Sequence, residues 1–321
     1  MTHPKGWLCA AMGAAIVTTV AGQEPPRFRT DVQTVVMYAT VQGRDGRLVP
    51  DLSRDDFALL EDGQPRPITI FSRESVPITA TLMLDMSDSM RDDYERVRDA
   101  AGRFVDALQP GDRVRIGTFG HTAALSPFLT SDKAILHRVL NEELWLSHFT
   151  ALWTGIKKAM DSLTSEPGRR VIVVLTDGAD FCQLGIHDIW TQFPARNGAA
   201  VHKFWDDLRW QDLPDSGCVT MEDVRSQAIG GGFLIYVIGM PLGLTPEVSR
   251  LANDTGGAHF KLGKAADLAS TFGLVISELR SQYALGFSPE RLDGKTHKLD
   301  LQMRQNGLSA RSRKSYVASV K

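Results

Sequence analysis

Cysteine is scarce in this sequence, with three in 321 residues, at Cys9, Cys182 and Cys218. Charge of either sign is nearly balanced at a formal -2, and no basic stripe with interleaved aromatics occurs. That argues against a nucleic-acid partner. There is no Gly-x-Ser-x-Gly elbow of the kind that presents a hydrolase nucleophile. A glycine-rich phosphate loop is also missing; Gly230-Gly231-Gly232 precedes an apolar run and reads as a connector. The apolar stretch from Trp7 to Val20 is shorter than a comfortable membrane span. Disorder is excluded by composition, since 43% hydrophobic and 23% charged residues are globular values. The length allows one large or two ordinary domains.

What is present begins with an N-terminal targeting pattern. His3 and Lys5 make a weakly positive start, Trp7 to Val20 is apolar and rich in small residues, and Val20-Ala21-Gly22 offers a cleavage site. Residues 1-22 are therefore expected to be a signal peptide, with an uncleaved anchor as the alternative. Gly6-Trp7-Leu8-Cys9 is a poor lipidation signal. Export leaves Cys182 and Cys218 in the mature chain and favours a disulfide between them over two free thiols. The expected location is periplasmic, cell-envelope or extracellular, with membrane contact only if the N-terminal segment stays uncleaved.

After Pro25-Pro26 the pattern turns to strands. Val32 to Val41 alternates and is β-branched, and Asp45-Gly46 and Asp62-Gly63 are turn signals. From Ile78 to about Gln282 strands alternate with helices. Ile78 to Leu84, Val114 to Phe119, Val171 to Leu175 and Phe233 to Ile238 read as buried strands. Helical spacing runs from Met90 to Leu108, Ala134 to Leu140, Ala151 to Leu163, Pro246 to Ala252 and Ala265 to Leu279. Leu125 to Leu129 reads as an edge strand. This rhythm predicts a doubly wound, mostly parallel α/β sheet over 76-282.

A stretch at 181-221, holding Trp190, Trp205 and Trp210, breaks the rhythm and reads as an insertion bracketed by Cys182 and Cys218. The tail, 283-321, returns to alternating strands. Pairing of that tail with the N-terminal β segment at 27-75 would set the α/β domain into a small β-sandwich.

The chemistry concentrates at Asp85-Met86-Ser87-Asp88-Ser89, which ends the first buried strand. Carboxyl ends of strands are where open α/β sheets place ligands. Thr150 opens a helix, and Thr176-Asp177-Gly178 ends the next buried strand. In a doubly wound sheet Asp85 and Asp177 would converge. Two such carboxylates repel unless a cation lies between them, and hard cations such as magnesium choose oxygen ligands.

The combination resembles the metal-ion-dependent adhesion site of von Willebrand factor type A domains. Its flanks, Asp56-Phe57 with Glu61-Asp62-Gly63 and Leu279 to Gly286, look like bacterial exported proteins that carry this domain. The resemblance implies one divalent ion, magnesium or alternatively manganese or calcium. Ser87, Ser89 and Thr150 would ligate directly, with Asp85 and Asp177 acting largely through water. It further implies a protein partner that supplies an acidic residue. No enzymatic activity is expected, because two serines and a threonine around two aspartates suit a cation better than a catalytic triad. Two positions depart from the pattern: Asp88 and Phe149 stand where the family usually or often has glycine.

Other readings stay open at this level. Ser89 with Asp92 could be only a helix capping box. Asp177-Gly178 could be a simple turn. Cys182, His187, His202 and Cys218 could bind zinc, although their spacing matches no tight ligand pairing. An envelope scaffold with a degenerate metal site could recognise partners through the tryptophans of the insertion. A hydrolase would need Ser87 or Ser89 as nucleophile, His121 or His148 as base and Asp177 to orient it.

Overall fold

In the computed structural model, residues 34-320 are described apart from 75, 121, 145-149, 179, 181-217 and 241-243. The expected signal peptide, the three tryptophans of the insertion, Cys182, His121, His148, Phe149, His187 and His202 thus lie outside the described residues.

The alternating N-terminal run forms β1 (Val35–Gln42), with Met37, Ala39 and Val41 buried on one face. Three short strands follow, β2 (Phe57–Glu61), β3 (Gln64–Arg66) and β4 (Ile70–Ser72). Between β2 and β3, Asp62 and Gly63 both take positive φ, 49° and 81°, as a two-residue hairpin turn requires. β5 (Ile78–Asp85) is buried at every position. A 3-10 turn at Asp88–Asp93 then delays α1, which spans Tyr94–Asp106 rather than starting at Met90.

β6 (Arg113–Phe119) pairs with β7 (Ala123–Leu125). The latter stops before Pro127, which has no N–H for a ladder, so the expected edge strand is shifted toward Ala123. Next come α2 (Lys133–Glu142), α3 (Leu152–Asp161) and β8 (Arg169–Thr176).

Beyond the insertion stands α4 (Met221–Gly231), which absorbs Gly230 and Gly231 into its last turn. Only Gly232, left-handed at φ 65°, serves as the connector expected of all three glycines. The chain continues through β9 (Leu234–Gly239), α5 (Pro246–Asp254), β10 (His259–Lys261) and α6 (Leu268–Arg280). It ends in β11 (Tyr283–Phe287), β12 (Thr296–Met303), β13 (Ser309–Arg311) and β14 (Ser315–Val317).

The central sheet has the order β10-β9-β8-β5-β6-β7 and is parallel except for β7. Successive strand residues alternate between two cores. Leu82, Leu84, Val173 and Ile238 pack with α1, α2 and α6, whereas Met83, Ile172, Val174 and Val237 pack with α3, α4 and α5. The sheet is therefore doubly wound, as the sequence rhythm predicted. After β5 the chain moves to one side and after β8 to the other, so the crevice of the fold opens between their carboxyl ends.

Strands from the two ends of the chain make two four-stranded antiparallel sheets, β13-β1-β11-β4 and β14-β12-β2-β3. Met37, Phe57, Leu59, Tyr283, Leu285, Leu299 and Tyr316 form their shared core. Phe57 lies edge-on to Tyr283 at 5.2 Å. The Tyr283 hydroxyl donates to Val49 O at 2.6 Å and accepts from Leu52 N at 3.0 Å, fixing the loop before β2.

Candidate metal centre

Parallel register decides which residues meet at the crevice. Asp85 is the last residue of β5 and lies opposite Phe119 of β6, while Leu84 pairs with Leu175 of β8. One residue further along β8 is Thr176, followed by Asp177. The Asp85 side chain is fully buried. One of its oxygens accepts from Ser87 N at 3.0 Å and the other from the Thr176 hydroxyl at 2.8 Å. Gly178, at φ 87°, turns its N–H back onto the same Thr176 hydroxyl at 2.9 Å. Burial, then the charge of Asp177, pushes the Asp85 carboxyl up to about 6 against these hydrogen bonds.

Ser87 is extended, at φ -67° and ψ 164°, and begins the 3-10 turn. Its hydroxyl lies 3.1 Å from that of Ser89. The side chain of Ser87 makes no capping bond, and α1 begins six residues after Asp88, behind Asp93. Ser89 therefore caps no helix, and the two hydroxyls face each other. Asp88 is exposed, and Arg91 one turn later donates to it at 2.6 Å.

Thr150, just before α3, reaches the same edge beside the end of β6. Ala151 N donates to Gly120 O at 2.7 Å, which pins this loop to the residue following β6. Thr150 is 1% exposed, and its hydroxyl oxygen is buried without a hydrogen-bond partner. Such a group costs about 1–3 kcal/mol unless something accepts its lone pairs or its proton.

The structure thus gathers Asp85, Ser87, Ser89, Thr176 and Asp177 at adjoining strand ends and pins Thr150 at the neighbouring end of β6. Sequence reasoning missed the separate part played by Thr176, which orients Asp85; its signal was the hydroxyl residue directly before Asp177. Among the described residues no group of three or more His, Cys, Asp or Glu side chains is placed to hold a metal. The donors here are mixed hydroxyl and carboxylate oxygens, the chemistry a hard divalent cation takes. A cation would relieve both anomalies, the pair of carboxylates and the unpartnered Thr150 hydroxyl.

Comparison with known families gives the same answer for the fold. Residues 81–179, from β5 past the end of β8, match the model of the von Willebrand factor type A domain. This part of the chain is a von Willebrand factor type A domain.

Among solved structures, proximal thread matrix protein 1 from the mussel byssus, with a zinc-occupied MIDAS motif, is 17% identical with a TM-score of 0.50. That match covers 69% of this chain and 50% of the mussel chain, so the chain spans about half the length of that relative. A von Willebrand factor type A protein from Catenulispora acidiphila matches over 92% of this chain and 78% of its own, at 13% identity and TM-score 0.47. The vWF domain of the type V pili tip protein Mfa5 from Porphyromonas gingivalis matches over 63% and 95%, at 14% and 0.46. No curated protein sequence matches the chain. Among the described residues, no helix of the type A domain or its flanking sheets is long and apolar enough to cross a membrane.

Proposed function

We propose that the chain is an exported, non-enzymatic protein-binding module whose type A domain engages its partner through one divalent cation. Ser87, Ser89 and Thr150 would hold the ion directly, and Asp85 and Asp177 would hold it through water. The bound ion supplies a Lewis-acidic position for an acidic side chain of the partner. The observation that carries this reading is the buried, unpartnered Thr150 hydroxyl at the strand edge it shares with Asp85, Ser87 and Asp177.

Magnesium is the preferred ion, because few direct protein ligands leave room for the waters it keeps. The zinc in the mussel byssus protein shows that a related motif accepts another divalent metal, so manganese and calcium belong in any test. Export rests on the pattern of residues 1-22. It also motivates a Cys182–Cys218 disulfide.

Thermal unfolding with and without magnesium tests the site. Magnesium should raise the wild-type midpoint, chelator should reverse the rise, and Asp85→Ala and Asp177→Ala should not respond. A variant that responds like wild type would remove that residue from the site. For the disulfide, peptide mapping of the unreduced exported protein should recover Cys182 joined to Cys218; two alkylated thiols would refute the bridge.

A further inference from the structure

Away from the metal face, His297 on β12 is held between two carboxylates. Its Nδ1 lies 2.7 Å from Asp62 and its Nε2 lies 3.0 Å from Asp293. A neutral imidazole has one N–H, so one of these contacts would set lone pair against lone pair. Only an imidazolium can donate to both. The residue is 8% exposed, and the ring stacks on Tyr316 at 5.7 Å.

Each neighbour ties His297 to a different element. Asp62 sits in the β2–β3 turn in a left-handed conformation, and its other oxygen accepts from Lys298 N at 2.9 Å. Asp293 belongs to the loop before β12 and also accepts from Lys295 N at 3.0 Å. Tyr316 of β14 donates its hydroxyl to the buried Glu61 of β2, and Arg313 lies 5.9 Å from its ring. Arg291 and Lys295 are the remaining charges acting on the two aspartates.

We propose that His297 is an imidazolium clasp that fastens the β2–β3 turn and the β11–β12 loop to β12, and that loss of its proton breaks one of the two contacts and loosens the joint. Asp62, Gly63, Thr296 and Lys298 also wall a cleft of about 760 Å³ that faces Arg225 of α4. Loosening of the joint would reshape that cleft.

Hydrogen bonds to Asp293, then to Asp62, raise the proton affinity of the imidazole above the ordinary histidine value, against its burial. For a raised histidine the stabilisation is complete below the unfolded value of about 6.5. It is lost as pH climbs through the folded value. The clasp therefore loosens on the alkaline side.

Nitrogen-15 spectra of the imidazole rings of the full chain, assigned by the signal lost in His297→Gln, test this. Protons on both ring nitrogens at pH 7 are expected, with a titration midpoint above that of an ordinary exposed histidine. Asp62→Asn and Asp293→Asn should each lower that midpoint, and the exchange of the Lys298 amide should rise more steeply with pH than its intrinsic rate does once His297 deprotonates. If His297→Gln does not fold, the signal is assigned from its shift in the two asparagine variants. A singly protonated ring at pH 7, or a midpoint that neither asparagine variant moves, would overturn the proposal.

Discussion

Thr150 offers the sharpest single-residue test, because its hydroxyl is buried with nothing to bond. Thr150→Val keeps the shape and removes the stranded oxygen. In cation-free buffer the variant should be as stable as wild type or more stable by about 1 kcal/mol. With excess magnesium the order should reverse, since the wild type gains more binding energy than the variant. Urea denaturation under both conditions reads this sign change; the same ranking in both buffers would contradict it.

At this scale the sequence was partly legible. Asp85, Ser87, Ser89 and Asp177 announced themselves by residue type at strand ends. Thr176 did not, because its part depends on the β5–β8 register that brings its hydroxyl to Asp85. The departure at Asp88 also looks different in the folded chain. Its carboxylate is held by Arg91 in an exposed pair, a kind of contact worth at most about 1 kcal/mol, so the added charge at the rim has a partner beside it.

Elements were legible where periodicity was strong. β8 reads as an unbroken apolar run from Val171 to Leu175, and β5 as an apolar stretch interrupted by Thr79 and Thr81, because both their faces are covered by helices. Two elements escaped for local reasons. The 3-10 turn at Asp88–Asp93 continues the polar and apolar spacing of α1, so spacing alone could not separate them. α4 was obscured by its glycine-rich end and by the irregular insertion before it.

The signal for α4 was the pair Thr220 and Asp223, which form a capping box, Thr220 accepting from Asp223 N at 3.1 Å and Asp223 from Thr220 N at 2.9 Å. Thr220→Ala should cost about 1 kcal/mol in urea denaturation, and a cost near zero would mean that packing alone sets the start of α4.

For the whole molecule, alternation of strand and helix was enough to predict a doubly wound sheet, and β character at both ends was enough to predict a sandwich. Polar joints between distant elements were not legible, since no local pattern encodes them. Gln282, just before β11, donates to Thr40 of β1 at 3.2 Å and to Tyr236 of β9 at 3.1 Å. Arg169, 2% exposed at the start of β8, donates to Leu279 O at 2.9 Å and to Gln282 at 3.3 Å.

Asp112 is fully buried and joins α6 to the foot of the sheet, accepting from Arg280 and from Ile78 N at 3.0 Å and Gln109 N at 2.7 Å. Burial pushes its carboxyl up, but Arg280 and the two N–H groups outweigh that and hold it below the usual range. Its stabilisation is thus present above the ordinary carboxylate value and lost as pH falls through the lowered one. Arg280→Met strands this charge and should cost about 3–5 kcal/mol at neutral pH. A loss under about 1 kcal/mol in denaturant unfolding would show that the two backbone donors suffice.

The proposed function depends on one ion at one face. Calorimetric titration of the purified chain with magnesium and manganese measures that most directly. It should give a single site in the wild type, with no heat of binding in Asp85→Ala or Asp177→Ala, and Thr150→Val should bind at least tenfold more weakly. A wild-type chain that takes up neither ion, or binding that survives in both aspartate variants, would contradict it.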